Sequence, residues 1–254
     1  MIRIKLIYFL VFICTSQSLL FAQRDTIAMN SNWQFVIDKN SDGFKSEWYK
    51  QPLTKARTVA IPHTWNIEDS NQTHYGWAWY QKELQIPTNY KSKQVVIEFG
   101  AINHTGHIYL NGIKVAEHIG DGFNKFKVDI SKQIKAGTSN RLAVAVNNDY
   151  GKNKVPFGSS FDWPNDGGII RKVNLIVTHP IAPQQIFVTP TLHKDSSATV
   201  KIRLPFNKLL LEKKYAALKG KLRLNIQVIH DLDKQQMTGQ LVTPEWELRM
   251  ALKL

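Results

Sequence analysis

The sequence has almost no cysteine: Cys14 is the only one in 254 residues, which excludes an internal disulfide and a zinc site built on several thiolates. It also contains no apolar run of the roughly 18–20 residues that a membrane-spanning helix requires. The basic excess, a formal charge of +13, is spread as single lysines without a dense run or a nucleic-acid-binding motif, so no nucleic-acid partner is indicated. With 43% hydrophobic residues, the chain can form an ordinary packed core.

The first 22 residues have the order of a secretory signal peptide. Arg3 and Lys5 give a basic start, residues 6–14 form an apolar run, and the small Ala22 precedes a candidate cleavage point. The alternative is a buried strand at the N-terminus of a cytosolic protein. We favour the signal peptide, because processing requires this order of residue types. The sequence therefore predicts export to the periplasm or the extracellular space, with Cys14 removed alongside the leader.

Strand signals dominate from residue 30 to residue 180. Apolar residues alternate with polar ones in 94–99 and in 141–147, and this period of two places each apolar set on one buried sheet face. Asn111-Gly112 separates two short apolar runs, as in a hairpin with a type I′ turn. No segment of a dozen residues keeps helical periodicity. The pattern predicts an all-β fold, an antiparallel sandwich or jelly roll.

A boundary is predicted near Pro180 and Pro183, which interrupt the pattern. It separates a sandwich over residues 24–181 from a unit of 73 residues, 182–254. A complete immunoglobulin-like sandwich takes about 100 residues, so the second unit is predicted to be partial. It contains three strand candidates and a short helix candidate over 208–219. The sequence predicts no closing strand at the end of this unit.

Seven motifs follow one another in a fixed order along the first unit. They are Trp33-Gln34-Phe35, Ile61-Pro62-His63-Thr64-Trp65, Tyr75-Gly76-Trp77-Ala78-Trp79-Tyr80, Ile108-Tyr109-Leu110-Asn111-Gly112, Phe126-Lys127-Val128-Asp129-Ile130, Asn140-Arg141-Leu142-Ala143-Val144, and Phe161-Asp162-Trp163 leading to Gly167-Gly168-Ile169-Ile170-Arg171-Lys172-Val173. This series resembles the N-terminal sugar-binding domain of glycoside hydrolase family 2, the β-galactosidase, β-glucuronidase and β-mannosidase group. The resemblance implies a galactose-binding-like jelly-roll β-sandwich, followed by the start of an immunoglobulin-like domain.

The resemblance also implies where the chemistry of the family lies. Its members are retaining enzymes, with two glutamates about 5–5.5 Å apart that belong to a TIM barrel following the immunoglobulin-like domain. Such a barrel takes about 250 residues, and no part of this sequence has its pattern. We therefore assign no catalytic residue, and we expect this chain alone to be inactive. The eight histidines have no metal-site spacing, so neither a metal nor a cofactor is predicted.

The resemblance points to Asp162 as a substrate-binding residue, and Trp163 beside it is a second candidate. In the family, an acidic residue just before the Gly-Gly-Ile-x-Arg motif reaches the active site of the neighbouring barrel and holds a sugar hydroxyl. A carboxylate accepts two strong, charge-assisted hydrogen bonds from adjacent hydroxyls, and a tryptophan face packs on the C–H groups of a sugar. The alternatives are that Asp162 caps a turn and that Trp163 belongs to the core. His63 and Trp65 are expected to lock a loop against the sandwich.

Three functions remain open at the level of sequence. The first is the sugar-binding front part of an exported family 2 glycosidase, binding a β-galactoside or a related glycoside, with the barrel encoded separately. The second is a stand-alone carbohydrate-binding module, which requires an exposed aromatic platform such as Trp77 or Trp163. The third is an inert remnant whose incomplete second unit exposes an apolar edge.

Overall fold

The computed structural model describes residues 24–68, 70–151, 154–155, 158, 164–180, 182–183, 185–194, 197–205, 223–229, 234–240 and 245–253. Its strands, in chain order, are β1 (Asp25–Ala28), β2 (Trp33–Asp38), β3 (Arg57–Val59), β4 (Trp77–Ile86), β5 (Gln94–Phe99), β6 (Thr105–Leu110), β7 (Ile113–His118), β8 (Phe126–Asp129), β9 (Thr138–Asn147), β10 (Val173–Thr178), β11 (Phe187–Leu192), β12 (Ser197–Pro205), β13 (Arg223–Ile229), β14 (Lys234–Gln240) and β15 (Glu245–Lys253). Short 3-10 helices span Trp48–Lys50, Trp65–Ile67 and Thr88–Tyr90.

Two antiparallel sheets form the first unit. A six-stranded sheet has the order β3-β2-β4-β9-β6-β7, and a four-stranded sheet has the order β1-β10-β5-β8. The neighbouring strands are non-sequential in most positions, as in a jelly roll. The all-β antiparallel fold class predicted from the sequence is confirmed.

The core lies between these two sheets, and the predicted alternation forms it. Val95, Ile97 and Phe99 of β5 are fully buried and belong to the same apolar cluster as Val144 and Val146 of β9. At the β6–β7 turn, Asn111 and Gly112 have φ values of 51° and 82°. Two consecutive positive φ values are those of the predicted type I′ turn, which matches the twist of the flanking strands.

The six-stranded sheet is also covered on its outer face, which the sequence pattern does not predict. Residues 41–56 cross this face and place Phe44, Trp48, Tyr49 and Leu53 over Trp79. The same cover buries Ala143 and Ala145 of β9, both 0% exposed. Strand β9 is therefore buried on both faces, because residues 41–56, which have no regular hydrophobic periodicity, form a third layer over the outer face of the sheet.

The second unit contains a three-stranded sheet, β11-β12-β15, and a two-stranded sheet, β13-β14. The expectation that the chain lacks a strand at its end is wrong, because β15 pairs along its whole length with β12. The sequence carried the signal for it, since Trp246, Leu248, Met250 and Leu252 recur with a period of two. The helix candidate over 208–219 lies outside the described residues. The domain boundaries stay a prediction.

Among the described residues, no helix has the length and apolarity needed to cross a membrane.

Candidate functional site

The segment 164–169 crosses one end of the sandwich between two loops. Asn103 forms an antiparallel bridge with Gly168, with hydrogen bonds of 2.9 Å from Asn103 N to Gly168 O and 3.2 Å in return. On the other side, the amide of His63 donates to Ile169 O at 2.9 Å, and the amide of Trp65 donates to Gly167 O at 3.2 Å. The backbone of this segment is therefore fixed on both edges.

Only glycine fits at the centre of this segment. A Cβ atom on Gly167 would lie 2.1 Å from the Trp65 ring, and one on Gly168 would lie 2.1 Å from His63 O. Gly168 also has a φ of 149°, which side-chain-bearing residues rarely adopt. The Gly-Gly pair of the sequence motif thus serves close backbone packing.

A buried network of asparagine side chains also bonds the backbone of the segment 164–169. Asn66, Asn148 and Asn165 are at most 8% exposed. The Nδ2 of Asn148 donates to Asn66 Oδ1 at 3.1 Å and to Asn165 O at 2.9 Å, and Asn165 Nδ2 donates back to Asn148 O. Asn66 Oδ1 also accepts from Gly167 N at 2.8 Å. Neutral amides combine donors and acceptors without charge, so they satisfy buried backbone groups without the cost of burying an ion.

Asn103 and His104 extend this network towards the loop 119–124. Asn103 Nδ2 donates to Asp166 O at 2.6 Å, and His104 Nε2 bonds Asn165 Oδ1. Because Asn165 Nδ2 is already a donor, its Oδ1 is an acceptor, and His104 carries its proton on Nε2. Burial lowers the pKa of His104, although the hydrogen bond that its Nε2–H donates to Asn165 opposes the shift, so the ring is neutral at neutral pH.

This arrangement leaves two acceptors without a donor among the described residues, Asn103 Oδ1 and His104 Nδ1. Both face the position that a Cβ of Gly122 would occupy, at 2.1 and 2.7 Å from it. Unpaired buried acceptors call for hydrogen-bond donors such as hydroxyl groups or water. Asn103 and His104 are 3% and 0% exposed, so these acceptors lie inside the packed end of the sandwich, against Gly122.

The predicted substrate-binding residues Asp162 and Trp163 lie outside the described residues, immediately before this segment in the sequence. The residues predicted to lock a loop, His63 and Trp65, both lie among the described residues and bond the backbone of this segment. Trp65 is 0% exposed and donates from Nε1 to His74 O at 3.1 Å, and His63 bonds Tyr80 and Glu68.

Trp77, the other platform candidate, packs within the outer layer. Its ring meets Phe44 edge-on at 4.7 Å between centroids and lies 5.1 Å from His107. It therefore does not offer an open, flat face in the way that a stand-alone sugar platform requires.

Five glutamates of the first unit each form an ion pair with a basic side chain. The pairs are Glu47–Lys50, Glu68–Arg57, Glu83–Arg141, Glu98–Lys127 and Glu117–Lys114. Such pairing is typical of structural surface carboxylates. Among the described residues, no group of three His, Cys, Asp or Glu side chains is arranged to hold a metal ion.

Residues 27–180 match the family "Glycosyl hydrolases family 2, sugar binding domain". The chain belongs to this family. The chain is 28% identical to mouse beta-glucuronidase over an alignment of 205 residues, which covers 68% of this chain and 32% of that protein. It is 31% identical to a Bacteroides fragilis beta-glucuronidase over 163 residues, which are 63% of this chain and 21% of that protein. The chain thus spans about a third or less of the length of these relatives.

Solved structures agree with this assignment. A beta-glucuronidase of an uncultured Clostridium species superposes with a TM-score of 0.71 at 25% identity, covering 91% of this chain and 40% of that one. Beta-glucuronidase of Ruminococcus gnavus superposes with a TM-score of 0.73 at 22% identity, covering 91% of this chain and 40% of that one. This second match shows similarity of fold. The family resemblance stated from the seven motifs is confirmed, and the matched residues are the N-terminal sugar-binding domain of a family 2 protein.

Sequence reasoning missed the asparagine network of the family 2 domain. Asn148 directly follows β9, whereas Asn66 lies in the 3-10 helix Trp65–Ile67 and Asn165 lies in the segment 164–169. No local pattern joins these residues, because residues 66, 148 and 165 meet only in the folded sandwich.

Proposed function

We propose that this domain is the N-terminal sugar-binding part of an exported family 2 glycosidase that acts on β-linked glucuronides. In this proposal Asp162 accepts hydrogen bonds from sugar hydroxyls, and Trp163 packs on the sugar face. The catalytic carboxylates belong to a barrel outside this chain. The relatives matched over the domain are named beta-glucuronidases, which favours a glucuronide over the β-galactoside that the resemblance alone suggested.

One observation carries the proposal. The segment 164–169, which directly follows Asp162 and Trp163 in the chain, is held by backbone hydrogen bonds on both edges and by buried amides beneath it. A binding group contributes most when the structure fixes its position before the ligand arrives, because less conformational freedom is then lost on binding. A rigid base next to a carboxylate and an indole suits the recognition of a hydroxyl-rich ring.

Sugar binding by the full chain tests this proposal. Titration with methyl β-glucuronide, followed by ligand-observed NMR, is expected to show binding that weakens about tenfold or more in Asp162→Asn. The loss of one charge-assisted hydrogen bond costs about 1.5–3 kcal/mol, which corresponds to that factor. The matched control is Asp42→Asn, an exposed carboxylate on the outer cover, which should bind normally. Binding that is unaffected by Asp162→Asn, or an equal preference for methyl β-galactoside, would contradict the assignment.

Activity and export have separate tests. The purified chain is expected to leave a chromogenic β-glucuronide intact, and turnover by the chain alone would show that catalytic groups lie within it. N-terminal sequencing of the secreted product should begin directly after residue 22. Full-length protein retained in the cytosol would contradict the proposed signal peptide.

A further inference from the structure

The ends of two neighbouring strands bring Tyr75 and Tyr150 together. Strands β4 and β9 are antiparallel, and Trp77 pairs with Asn147 at one end of their ladder. Tyr75 lies just before β4 and Tyr150 just after β9, so both tyrosines lie at the same end of the six-stranded sheet. Their ring centroids are 5.1 Å apart, with an angle of 38° between the ring planes. The two rings therefore contact each other across the strand ends.

The backbone on either side of Tyr75 is fixed. The amide of Gly76 donates to Asn148 Oδ1 at 3.0 Å, and the amide of Asn148 donates to Gly76 O at 3.3 Å. On the other side, His74 O accepts from the Trp65 indole at 3.1 Å. Tyr75 therefore lies between two anchored residues.

Tyr75 is nevertheless open to solvent. It is 41% exposed, whereas Tyr150 is partly buried. An exposed side chain loses rotamer freedom when it binds a ligand, and a ring that a second ring already restrains loses less. Tyrosine also combines an apolar face with a polar tip, which suits ligands that present both C–H and O–H groups. The pair is therefore a preorganised aromatic surface.

Asp149 adds hydrogen-bond acceptors beside this surface. It directly precedes Tyr150 and is exposed, and its Oδ2 accepts from Asn147 Nδ2 at 2.8 Å. The amide of Asp149 in turn donates to Asn147 Oδ1 at 2.8 Å, which fixes the turn after β9. A carboxylate has about four lone-pair sites, so Asp149 keeps acceptor capacity for further donors.

Lys154 adds donors at the same place. Its side chain folds back over Gly151, where its Cδ lies 3.6 Å from the position that a Cβ would take. Its Nζ donates to Asp149 O at 2.6 Å and to Asn147 Oδ1 at 3.4 Å, and the third N–H of an ammonium remains for a ligand. Because the carbonyl of Asp149 is bonded to the amide of Tyr150, Nζ lies at most about 6.6 Å from Tyr150 Cα. One sugar ring can span such a distance.

The opposite charges of Asp149 and Lys154 decide the class of ligand. A charged sugar would be attracted by one of the two groups and repelled by the other, so it gains little net attraction. The hydroxyls of an uncharged pyranose can donate to Asp149 and accept from Lys154 while its C–H face packs on Tyr75. The site therefore suits a neutral, hydroxyl-rich ring.

We propose that Tyr75 and Tyr150, together with Asp149 and Lys154, form a binding site for an uncharged pyranose unit of a glycan. Tyr75 contacts the sugar face, Tyr150 restrains the ring of Tyr75, and the two charged side chains bond the sugar hydroxyls. The site is built without Asp162 and Trp163, so its test is independent of the proposed function.

Binding of methyl β-glucopyranoside by the full chain tests the site. Saturation-transfer NMR should show binding of this uncharged, flat ring. Fluorine NMR of protein labelled with 3-fluorotyrosine should show shifted resonances for Tyr75 and Tyr150 and an unchanged one for the buried Tyr80. Sorbitol, an open-chain polyol, has hydroxyls without a ring face and should not bind. No binding of the pyranoside, or equal binding of sorbitol, would overturn the proposal.

Variants of Tyr75 separate its ring face from its hydroxyl. Tyr75→Ala should weaken binding of the pyranoside about five- to tenfold, the effect of returning one ring face to water, and Tyr75→Phe should keep the affinity. Phe123→Ala is the matched control, because Phe123 is 43% exposed and lies in the loop between β7 and β8. Full affinity in Tyr75→Ala, or an equal loss in Phe123→Ala, would refute the contact between Tyr75 and the sugar.

Asp149→Ala tests the polar half of the site without altering either tyrosine. It should weaken binding about three- to tenfold, the range for one lost hydrogen bond, whereas Asp42→Ala on the outer cover should have no effect. Unchanged affinity in Asp149→Ala would contradict the role of the polar pair.

Asp162→Asn separates this site from the proposed function. It should leave binding of methyl β-glucopyranoside intact, and a loss of that binding would show that no separate site exists. If the glucopyranoside binds in a manner that depends on Tyr75 while methyl β-glucuronide does not bind at all, the proposed function fails and this site stands.

Discussion

Replacing Gly168 by alanine should destabilise the sandwich more than any ordinary surface substitution. The new Cβ atom would lie 2.1 Å from His63 O and 3.1 Å from both His63 C and Thr64 Cα. These are backbone atoms, which cannot rotate away as a side chain does. They have to shift by roughly 1 Å to reach an ordinary contact distance of about 3.5 Å or slightly less.

The cost has two parts. A side-chain-bearing residue at a φ of 149° is strained by about 1–3 kcal/mol. Overpacking against fixed atoms adds about 1–3 kcal/mol. The sum, about 2–6 kcal/mol, is a large share of the 5–15 kcal/mol that stabilises a typical domain. The required shift also strains the two hydrogen bonds between Asn103 and Gly168.

Urea unfolding followed by near-ultraviolet circular dichroism measures this loss. Gly158→Ala is the matched control, because no heavy atom of the described residues, its chain neighbours apart, lies within 4 Å of its Cβ position. We expect that control to be neutral or to stabilise the protein by up to about 1 kcal/mol through the unfolded state. Equal midpoints for Gly168→Ala and Gly158→Ala would refute the argument that close backbone packing fixes this segment.

Three further predictions follow from buried polar groups. Asn148→Ala leaves several buried partners unpaired and should lower the free energy of unfolding by about 2–3 kcal/mol, whereas the exposed control Asn124→Ala should change it little; equal effects would argue against the amide network. Asp38→Ala removes the acceptor of the Trp79 indole, and the near-ultraviolet signal should change together with a loss of about 1–3 kcal/mol; an unaltered signal would be inconsistent with that bond. The pKa values of His63 and His104 are lowered in the fold, so the unfolded chain binds more protons than the folded chain below about pH 6.5. The urea midpoint should therefore decrease as the pH is lowered from 7.5 to 5. A midpoint that increases on acidification would contradict this prediction.

The strands and their inner faces were predictable because their signal is local. A period of two in 94–99 and in 141–147 reports burial of one face wherever the strand lies in the sheet. The type I′ turn at Asn111-Gly112 is likewise set by the φ preferences of two adjacent residues. Neither feature depends on distant parts of the chain.

The outer cover and the amide network were not predictable, because both are tertiary. Residues 41–56 have no regular period, so nothing local showed that they bury Ala143 and Ala145. Asn66, in the 3-10 helix Trp65–Ile67, and Asn148, directly after β9, are separated by 82 residues and pair only in the folded sandwich. At the candidate site, the sequence and the family pointed to Asp162 and Trp163, which stay predictions. The contacts that hold the segment 164–169 were not predictable, because they join residues far apart in the sequence.

The double-layered packing has a practical consequence for spectroscopy. Trp33 and Trp65 belong to the inner core, whereas Trp48, Trp77 and Trp79 belong to the outer cluster. Total tryptophan fluorescence therefore averages these two environments. It would not resolve an unfolding in which the outer layer detaches before the inner core unfolds. Fluorine-labelled tryptophan, with one resonance per ring, would follow the two layers separately.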